Sequence, residues 1–318
     1  MNNTYTIDGH SFRKRLKLFM ALSRTPHGML DMATPAMGAL LWLGGLPPVK
    51  VIFLGMITAF AGYTAVYALN DLVDYKVDRK RVQLGFLRAA DSYLDDVLIR
   101  HPMAHGLLTF REGLWWTAAW GVVAVVGAFL LNPVCVAIFL GGCLLEMIYC
   151  TLLRISHLRT LVSGGVKTTG AIAAVFAVDP SPSAPFVASL FLLLFFWEIG
   201  AQNIPHDWAD IEEDRQLDSR TIPVLFGPRR AAETILAVLA ASQILSLAVF
   251  FTSGAGYRLP FAAAGLCGGF FLLLAPAWRL YRMKDKPHAM ALFNRASYYP
   301  LFMLLLALVE LASNRLSH

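Results

Sequence analysis

Nine stretches of this chain stay apolar for long enough to cross a lipid bilayer, and nothing else in the sequence restricts its fold as tightly. They run over 29–46, 51–69, 114–131, 133–153, 161–178, 186–204, 231–254, 259–278 and 297–313, each near the ~20 residues a helix needs to span the hydrocarbon. Inside a bilayer every backbone N–H and C=O must be bonded within the protein, which leaves only helices and closed barrels. Barrel strands alternate polar and apolar residues over about ten positions, whereas these runs are apolar throughout. The expected fold class is all-α, a multi-pass membrane protein with nine transmembrane helices. The composition agrees: 57% of the 318 residues are hydrophobic and only 15% are charged, far from the balance of a soluble domain.

The charges orient the chain, because Lys and Arg collect on the cytoplasmic side of short loops. One side takes Arg13, Lys14, Arg15, Lys17 and Arg24, the cations from Lys76 to Arg111, Arg154 and Arg159, and those of 215–230 and 279–295. The other side receives Lys50, Arg258 and Arg315. This split predicts a cytoplasmic N-terminus, a C-terminus on the opposite side and nine crossings of the plasma or inner membrane. It accounts for the net charge of +6 better than a nucleic-acid partner would. The opening residues lack a small-residue cleavage site, and Asp31 interrupts the first apolar run, so they read as mature sequence rather than a signal peptide. Residues 1–28 form a basic interfacial segment, in which 11–22 is either a short amphipathic helix on the headgroups or a disordered tail. Residues 29–318 form a single nine-helix domain. Cys135, Cys143, Cys150 and Cys267 lie in or beside apolar runs without CxxC spacing, and read as packing residues rather than disulfide or zinc ligands.

Carboxylates appear where the second and sixth runs end. Asp71, Asp74 and Asp78 are spaced i, i+3, i+7, and Asp207, Asp210 and Asp214 repeat that spacing. On a 3.6-residue helix each set falls on one face. Such sets repel internally unless a cation joins them, and Asn70 adds a neutral oxygen ligand beside the first. Oxygen-only ligands suit Mg²⁺, which takes one or two carboxylates and fills its other positions with water and phosphate oxygens. The implied ligand is a diphosphate. One such set alone is an ordinary solvated helix end; two matched sets on one membrane face are not. Arg79, Lys80, Arg100, Arg154 and Arg220 are candidate diphosphate ligands, each equally readable as a marker of the cytoplasmic side.

With these motifs the chain resembles the UbiA superfamily of intramembrane prenyltransferases. The family's NDxxDxxxD is matched by Asn70, Asp71, Asp74 and Asp78, and its DxxDxxxD by Asp207, Asp210 and Asp214. The Arg24 and Pro26 pair, Tyr149 through Arg154, and the run Arg220 to Gly227 are also similar to the family's pattern. The resemblance implies helices around a central cavity with a cytoplasmic-side active site. It implies Mg²⁺ as cofactor, a polyprenyl diphosphate donor, and a small-molecule acceptor that attacks the allylic carbon, with Asp71, Asp74, Asp207 and Asp210 catalytic. It further places Arg24 and Tyr149 with the acceptor. Two departures stand out. Asp218 occupies a position where the family commonly has Gly, and the element after the first motif appears late, as Arg100 to Gly106, behind an inserted stretch. That insert makes 79–111 either a cytoplasmic cap or a surface helix without catalytic part.

Charges within the helices cost about 2.5 to 3.5 kcal/mol each near the bilayer centre, so each needs a partner. Asp31, Glu146, Lys167 and Glu198 all fall ~10 to 14 Å below the cytoplasmic charges at 1.5 Å per residue. They form either a polar floor that orients the acceptor, with Lys167 paired to Glu146 or Glu198, or a structural ion pair beside a lone acid. Asn203 and Gln202 either reach metal-bound water or the acceptor or hold helices together, His206 reads as a headgroup contact, and Trp115, Trp116 and Trp120 as interfacial belt and packing. An aromatic quinone precursor is the expected acceptor; a phosphosugar, tetrapyrrole or glycerophosphate is the alternative. An ion-coupled secondary transporter is the competing class, disfavoured because carrier sites cluster at the midplane.

Overall fold

The computed structural model describes residues 12–86, 98–254 and 256–316. Among these residues there is no strand, and eight helices are long and apolar enough to span a bilayer: Val49–Val73, Phe110–Leu131, Pro133–Arg154, Arg159–Val178, Ala184–Ala209, Ile222–Thr252, Leu259–Met283 and Lys286–Ser313. The chain is an integral membrane protein built on these segments. Their outer faces are bare apolar surface, including Phe53, Val122, Phe129, Ile244 and Phe271, as expected of helices bathed in lipid.

The first expected span does not form one helix. Residues Thr25–Asp31 (α2) and Ala33–Leu43 (α3) divide the 29–46 run, and Gly44 closes α3 in the left-handed region at φ 60. Pro35 accounts for the break. It has no N–H to give the carbonyl of Asp31, and its ring presses on that carbonyl. Ahead of α2 lies Phe12–Leu22 (α1), so of the two alternatives for 11–22 the short basic helix is the one that forms. Its Leu18, Ala21 and Leu22 are buried, Phe19 stacks on Trp116 at 4.7 Å, and Trp116 Nε1 donates to Ser23 Oγ at 2.8 Å. Trp116 is therefore a packing residue, while Trp115 is 75% exposed.

The remaining elements follow the apolar pattern. Val49–Val73 (α4) leads into the short Tyr75–Gln83 (α5). Phe110–Leu131 (α6) starts at a capping box, with Thr109 and Glu112 bonding each other's backbone N–H. Pro133–Thr151 (α7), Arg159–Val178 (α8) and Ala184–Trp197 (α9) cross next. A π-helical turn, Glu198–Asn203, carries α9 into Ile204–Ala209 (α10), followed by Ile211–Gln216 (α11). Ile222–Thr252 (α12) kinks at Gly227, φ 77, so the span foreseen at 231–254 begins beyond that kink. Leu259–Gly269 (α13) reaches Ala275–Met283 (α14) through a second π turn, Phe270–Leu274. Lys286–Ala296 (α15) and Tyr299–Leu316 (α16) complete the order.

Apolar burial concentrates where α3, α9, α12 and α16 meet, around Met37, Leu190, Trp197, Ile235, Leu239 and Tyr299. Lipid is as apolar as these side chains, so contact between helices depends on close packing through small residues. Gly200, inside the π turn, is such a point: a Cβ there would lie 2.5 Å from Val238 Cγ2 and 2.8 Å from Leu239 Cγ of α12. Gly200→Ala is expected to lower stability by about 1 to 3 kcal/mol, read as a thermal-unfolding shift in detergent. Gly121→Ala, where a Cβ meets nothing within 4 Å, should be neutral or mildly stabilising.

Candidate functional site

Both acidic motifs sit on kinks. Asp74 is the hinge between α4 and α5 (φ -83, ψ 0), and Asp210 is the hinge between α10 and α11 (φ -101, ψ 15). The i→i−4 hydrogen bonds continue through both hinges, with Asp78 N to Asp74 O at 2.9 Å and Asp214 N to Asp210 O at 2.8 Å. The three carboxylates of each set therefore keep to one side, as the spacing predicts. Asp71, Asp78, Asp207, Asp210 and Asp214 are buried, and the two sets meet across the bundle.

Arg81 joins them. Its guanidinium lies 3.1 Å from Asp78 Oδ1, 2.6 Å from Glu213 Oε1 and 3.7 Å from Asp214 Oδ1. One guanidinium touching both sets puts Asp78 and Asp214 no more than about 9 Å apart. Arg159 Nη1 donates to Asp207 Oδ1 at 3.1 Å and its guanidinium covers the Tyr149 ring at 4.2 Å. Arg24, held at φ 43, donates to Asn70 Oδ1 at 3.1 Å and lies 3.6 Å from Asp71 Oδ1. His101, also left-handed at φ 51, puts Nδ1 3.1 Å from Asp71 Oδ1 and 3.0 Å from Asp78 Oδ2. These three ligand atoms lie within 4.8 Å of one another, the spacing of a metal site.

The electrostatics follow from this geometry. Burial disfavours the His101 imidazolium, but Asp78 and Asp71 outweigh it and hold the ring charged up to about 9. Burial also opposes ionisation of Asp78, and His101 and Arg81 overcome it, bringing its carboxyl down to about 2. Asp210 is also lowered, with the permanent charges of Arg100 and Arg81 prevailing over burial. Asp74 and Asp214 go the other way, raised by burial and by their neighbours Asp78 and Asp210. Asp207 Oδ2 is buried with no hydrogen-bond partner. A cluster of oxygen donors with surplus negative charge and an orphaned carboxylate oxygen is what a hard divalent cation fits.

A cavity of about 570 Å³ runs inward from the acidic sets. On α4 its lining extends from Asp74 to Val51, ~35 Å at helical rise, and most of its wall is apolar. Of the polar layer foreseen at Asp31, Glu146, Lys167 and Glu198, the last three line it while Asp31 lies behind Lys167, and the partners differ from those expected. Lys167 Nζ bonds Asp31 Oδ2 at 2.6 Å, not Glu146 or Glu198; Tyr67 Oη also donates to Asp31. Glu146 Oε1 accepts from Asn70 Nδ2 at 2.6 Å, and Glu198 Oε1 accepts from Ser163 Oγ at 2.8 Å. Depth follows from residue count, whereas pairing depends on how the helices are rotated, which count does not give. Asn203 Nδ2 donates to Tyr149 Oη at 3.1 Å. Gln202 instead bonds backbone carbonyls of Ala201 and Phe293. His206 lines the cavity, 3.8 Å from Asp210 Oδ2, rather than facing headgroups.

Of the five cations expected to take the diphosphate, Arg100 alone lines the cavity; Arg79, Lys80, Arg154 and Arg220 are exposed and away from it. The cations that do reach the carboxylates are Arg81, Arg159, Arg24 and His101. Arg81 carried a readable signal, since i+3 from Asp78 returns to the same helix face while i+1 and i+2 do not. His101 carried none, because its position depends on a left-handed backbone in a loop. In the 79–111 segment, residues 87–97 lie outside the described residues, while Arg81 and Leu98–His101 at its two ends line the cavity. Asp218 sits at φ 55, so the turn that Gly commonly makes is kept by a residue that tolerates that region. All four cysteines are free, and Cys150 Sγ receives a hydrogen bond from Asn70 Nδ2 at 3.3 Å.

Comparison with known proteins agrees with this architecture. The model of the UbiA prenyltransferase family matches residues 32–306. Among curated relatives, a 4-hydroxybenzoate octaprenyltransferase of Shewanella sediminis (strain HAW-EB3) is 24% identical over 277 residues, covering 86% of this chain and 88% of the relative. A digeranylgeranylglyceryl phosphate synthase of Thermococcus kodakarensis is 23% identical over 265 residues, covering 81% and 87%. Among solved structures, the apo form of a UbiA homolog from Aeropyrum pernix K1 superposes with a TM-score of 0.72 at 20% identity, covering 89% of this chain and 97% of that one. A UbiA homolog from Archaeoglobus fulgidus bound to DMAPP and Mg²⁺ gives 0.66 at 15% identity, covering 92% and 99%. With its paired aspartate motifs and a family match over most of its length, this chain belongs to the UbiA prenyltransferase family.

Proposed function

We propose that this prenyltransferase moves an isoprenyl group from a polyprenyl diphosphate to a hydroxylated aromatic quinone precursor, in a Mg²⁺-dependent reaction at the cytoplasmic face. The observation that carries this reading is Arg81, whose single guanidinium touches carboxylates of both motifs. The broken α2–α3 run supplies the ninth crossing, with the N-terminus cytoplasmic and the C-terminus opposite. Support for the donor comes from the homolog bound to DMAPP and Mg²⁺, and for the acceptor from relatives named for 4-hydroxybenzoate.

Asn70, Asp71, Asp74 and Asp78 from one side and Asp207, Asp210 and Asp214 from the other would hold the ions. When bound, Mg²⁺ supplies Lewis-acid neutralisation of the charge that builds on the departing diphosphate. Arg81, Arg159 and Arg24, which now cover those carboxylates, and Arg100, which lines the cavity, would take phosphate oxygens and stabilise the same charge in a site of low dielectric. The apolar cavity holds the prenyl tail and keeps water from the allylic carbon as it becomes electron-poor. Asp31, Lys167, Tyr67 and Asn203 fix the acceptor below it.

Three measurements test this. Asp74→Asn or Asp210→Asn is expected to lower diphosphate release from a labelled prenyl diphosphate by about 10²-fold or more, and EDTA should abolish release by the unaltered protein. Arg81→Gln and Arg159→Gln should each reduce turnover by about 10²-fold, while Arg79→Gln and Arg154→Gln stay within about twofold, as expected of exposed charges. In metal-free protein, His101 is raised from 6.5 to about 9, so its stabilisation is complete below 6.5 and is lost as pH rises through 9. Thermal unfolding in EDTA should fall across that window, by on the order of 3 kcal/mol at most, and His101→Gln should flatten it.

A further inference from the structure

We propose that Glu198 is the catalytic base that takes the phenolic proton of the acceptor, which requires the acceptor to present an uncharged ring hydroxyl at that point. This rests on the reading above that the acceptor is aromatic.

The backbone brings Glu198 to the site. On an uninterrupted α-helix the nine residues from Glu198 to Asp207 turn ~900° and leave the two on opposite faces. The π turn at Glu198–Asn203 lags an α-helix by roughly 20° per residue and returns Glu198 by about a third of a turn. Both residues consequently line the one cavity. Pro205 gives the cause: it has no N–H for the carbonyl of Ala201 and would crowd it in a regular helix. Gln202 Nε2 donates to that carbonyl instead, at 3.3 Å.

The side chain is incomplete without a ligand. Glu198 is 7% exposed; Oε1 accepts from Ser163 Oγ at 2.8 Å, whereas Oε2 is buried with no hydrogen-bond partner. A buried carboxylate oxygen without a donor is costly, and the cavity is where a donor can enter. The charged groups acting on Glu198 are Lys167, Asp31 and Glu146, with His27 3.7 Å beyond on Asp31. Lys167 is engaged by Asp31 and Glu146 by Asn70. Along the helix Glu198 lies ~13 Å below Asp207. A metal-bound diphosphate, an allylic carbon at ~3 to 3.5 Å from its nucleophile and a single ring fit in that depth.

The step balances as follows. The phenolic proton passes to Glu198 Oε2 while the neighbouring ring carbon forms its bond to the allylic carbon. The allylic carbon–oxygen bond breaks, and its electron pair leaves with the diphosphate. The diphosphate takes the ring proton at the new bond, and Glu198 returns its proton to the ring oxygen, restoring aromaticity.

The test uses full-length protein in detergent with Mg²⁺, a prenyl diphosphate and a panel of phenols, each paired with its O-methyl ether. Prenylated acceptor is measured by mass spectrometry, and acceptor-free diphosphate release in parallel. Glu198→Gln is expected to cut kcat for prenylation by about 10²-fold and to remove the acid limb of the wild-type pH–rate profile. Donor KM and acceptor-free release should stay within about twofold. Wild-type protein should turn over the ethers about 10²-fold more slowly than the phenols. Wild-type rates in Glu198→Gln, equal loss of prenylation and release, or ethers as good as phenols would each overturn the proposal. If wild-type protein releases diphosphate yet prenylates no phenol, the base role fails while metal-dependent donor cleavage stands.

Discussion

Repulsion among buried carboxylates is the constraint around which this molecule is arranged. Two unit charges 4 Å apart repel by about 4 kcal/mol at an effective dielectric of 20, and here the α4–α5 and α10–α11 hinges bring six aspartates together, of which Asp74, Asp207, Asp210 and Asp214 line the cavity. The chain answers with cations drawn from four places: Arg24 ahead of α2, Arg81 on α5, His101 from a loop and Arg159 at the start of α8. Two of these residues adopt a left-handed backbone to arrive. Their number and aim suit a site built to receive a multiply charged ligand, whose ions and phosphates would take over these ion pairs.

The same requirement explains the local irregularities of the helices. Each acidic motif pivots at its middle aspartate, and the helix carrying the second motif widens into a π turn above Pro205. A straight helix cannot present Glu198, Asn203, Asp207 and Asp214 to one cavity, because 3.6 residues per turn rotates some of them away. Gly200 lets the widened turn lie against α12. Backbone, packing and site chemistry are joined in this one segment.

Much of this was legible in the residues, and the gaps have identifiable causes. Apolar run length gave the helices, since lipid leaves the backbone no alternative, but it counted 29–46 as one span because run length is blind to Pro35. Carboxylate spacing gave the two motifs, since the i, i+3, i+7 pattern recurs at the ends of two apolar runs, which an ordinary solvated helix end does not explain. The basic ligands were harder. A cation that marks the cytoplasmic side and one that binds phosphate look identical in composition, and only helical phase separates Arg79 from Arg81. Lys167 was expected to pair with Glu146 or Glu198 and bonds Asp31 instead, because depth adds along one helix whereas pairing needs two. His101 left no trace in any periodic pattern.

Convergence of both acidic motifs on one diphosphate is the claim on which the account depends. The most direct measurement is a structure of the protein with Mg²⁺ and an unreactive prenyl diphosphate analogue. The account predicts ions ligated by carboxylates from the α4–α5 hinge and from the α10–α11 hinge, all contacting the same diphosphate, with Arg81 or Arg159 moved onto phosphate oxygens. A diphosphate held by one motif alone, with the other still closed on its arginine, would contradict it.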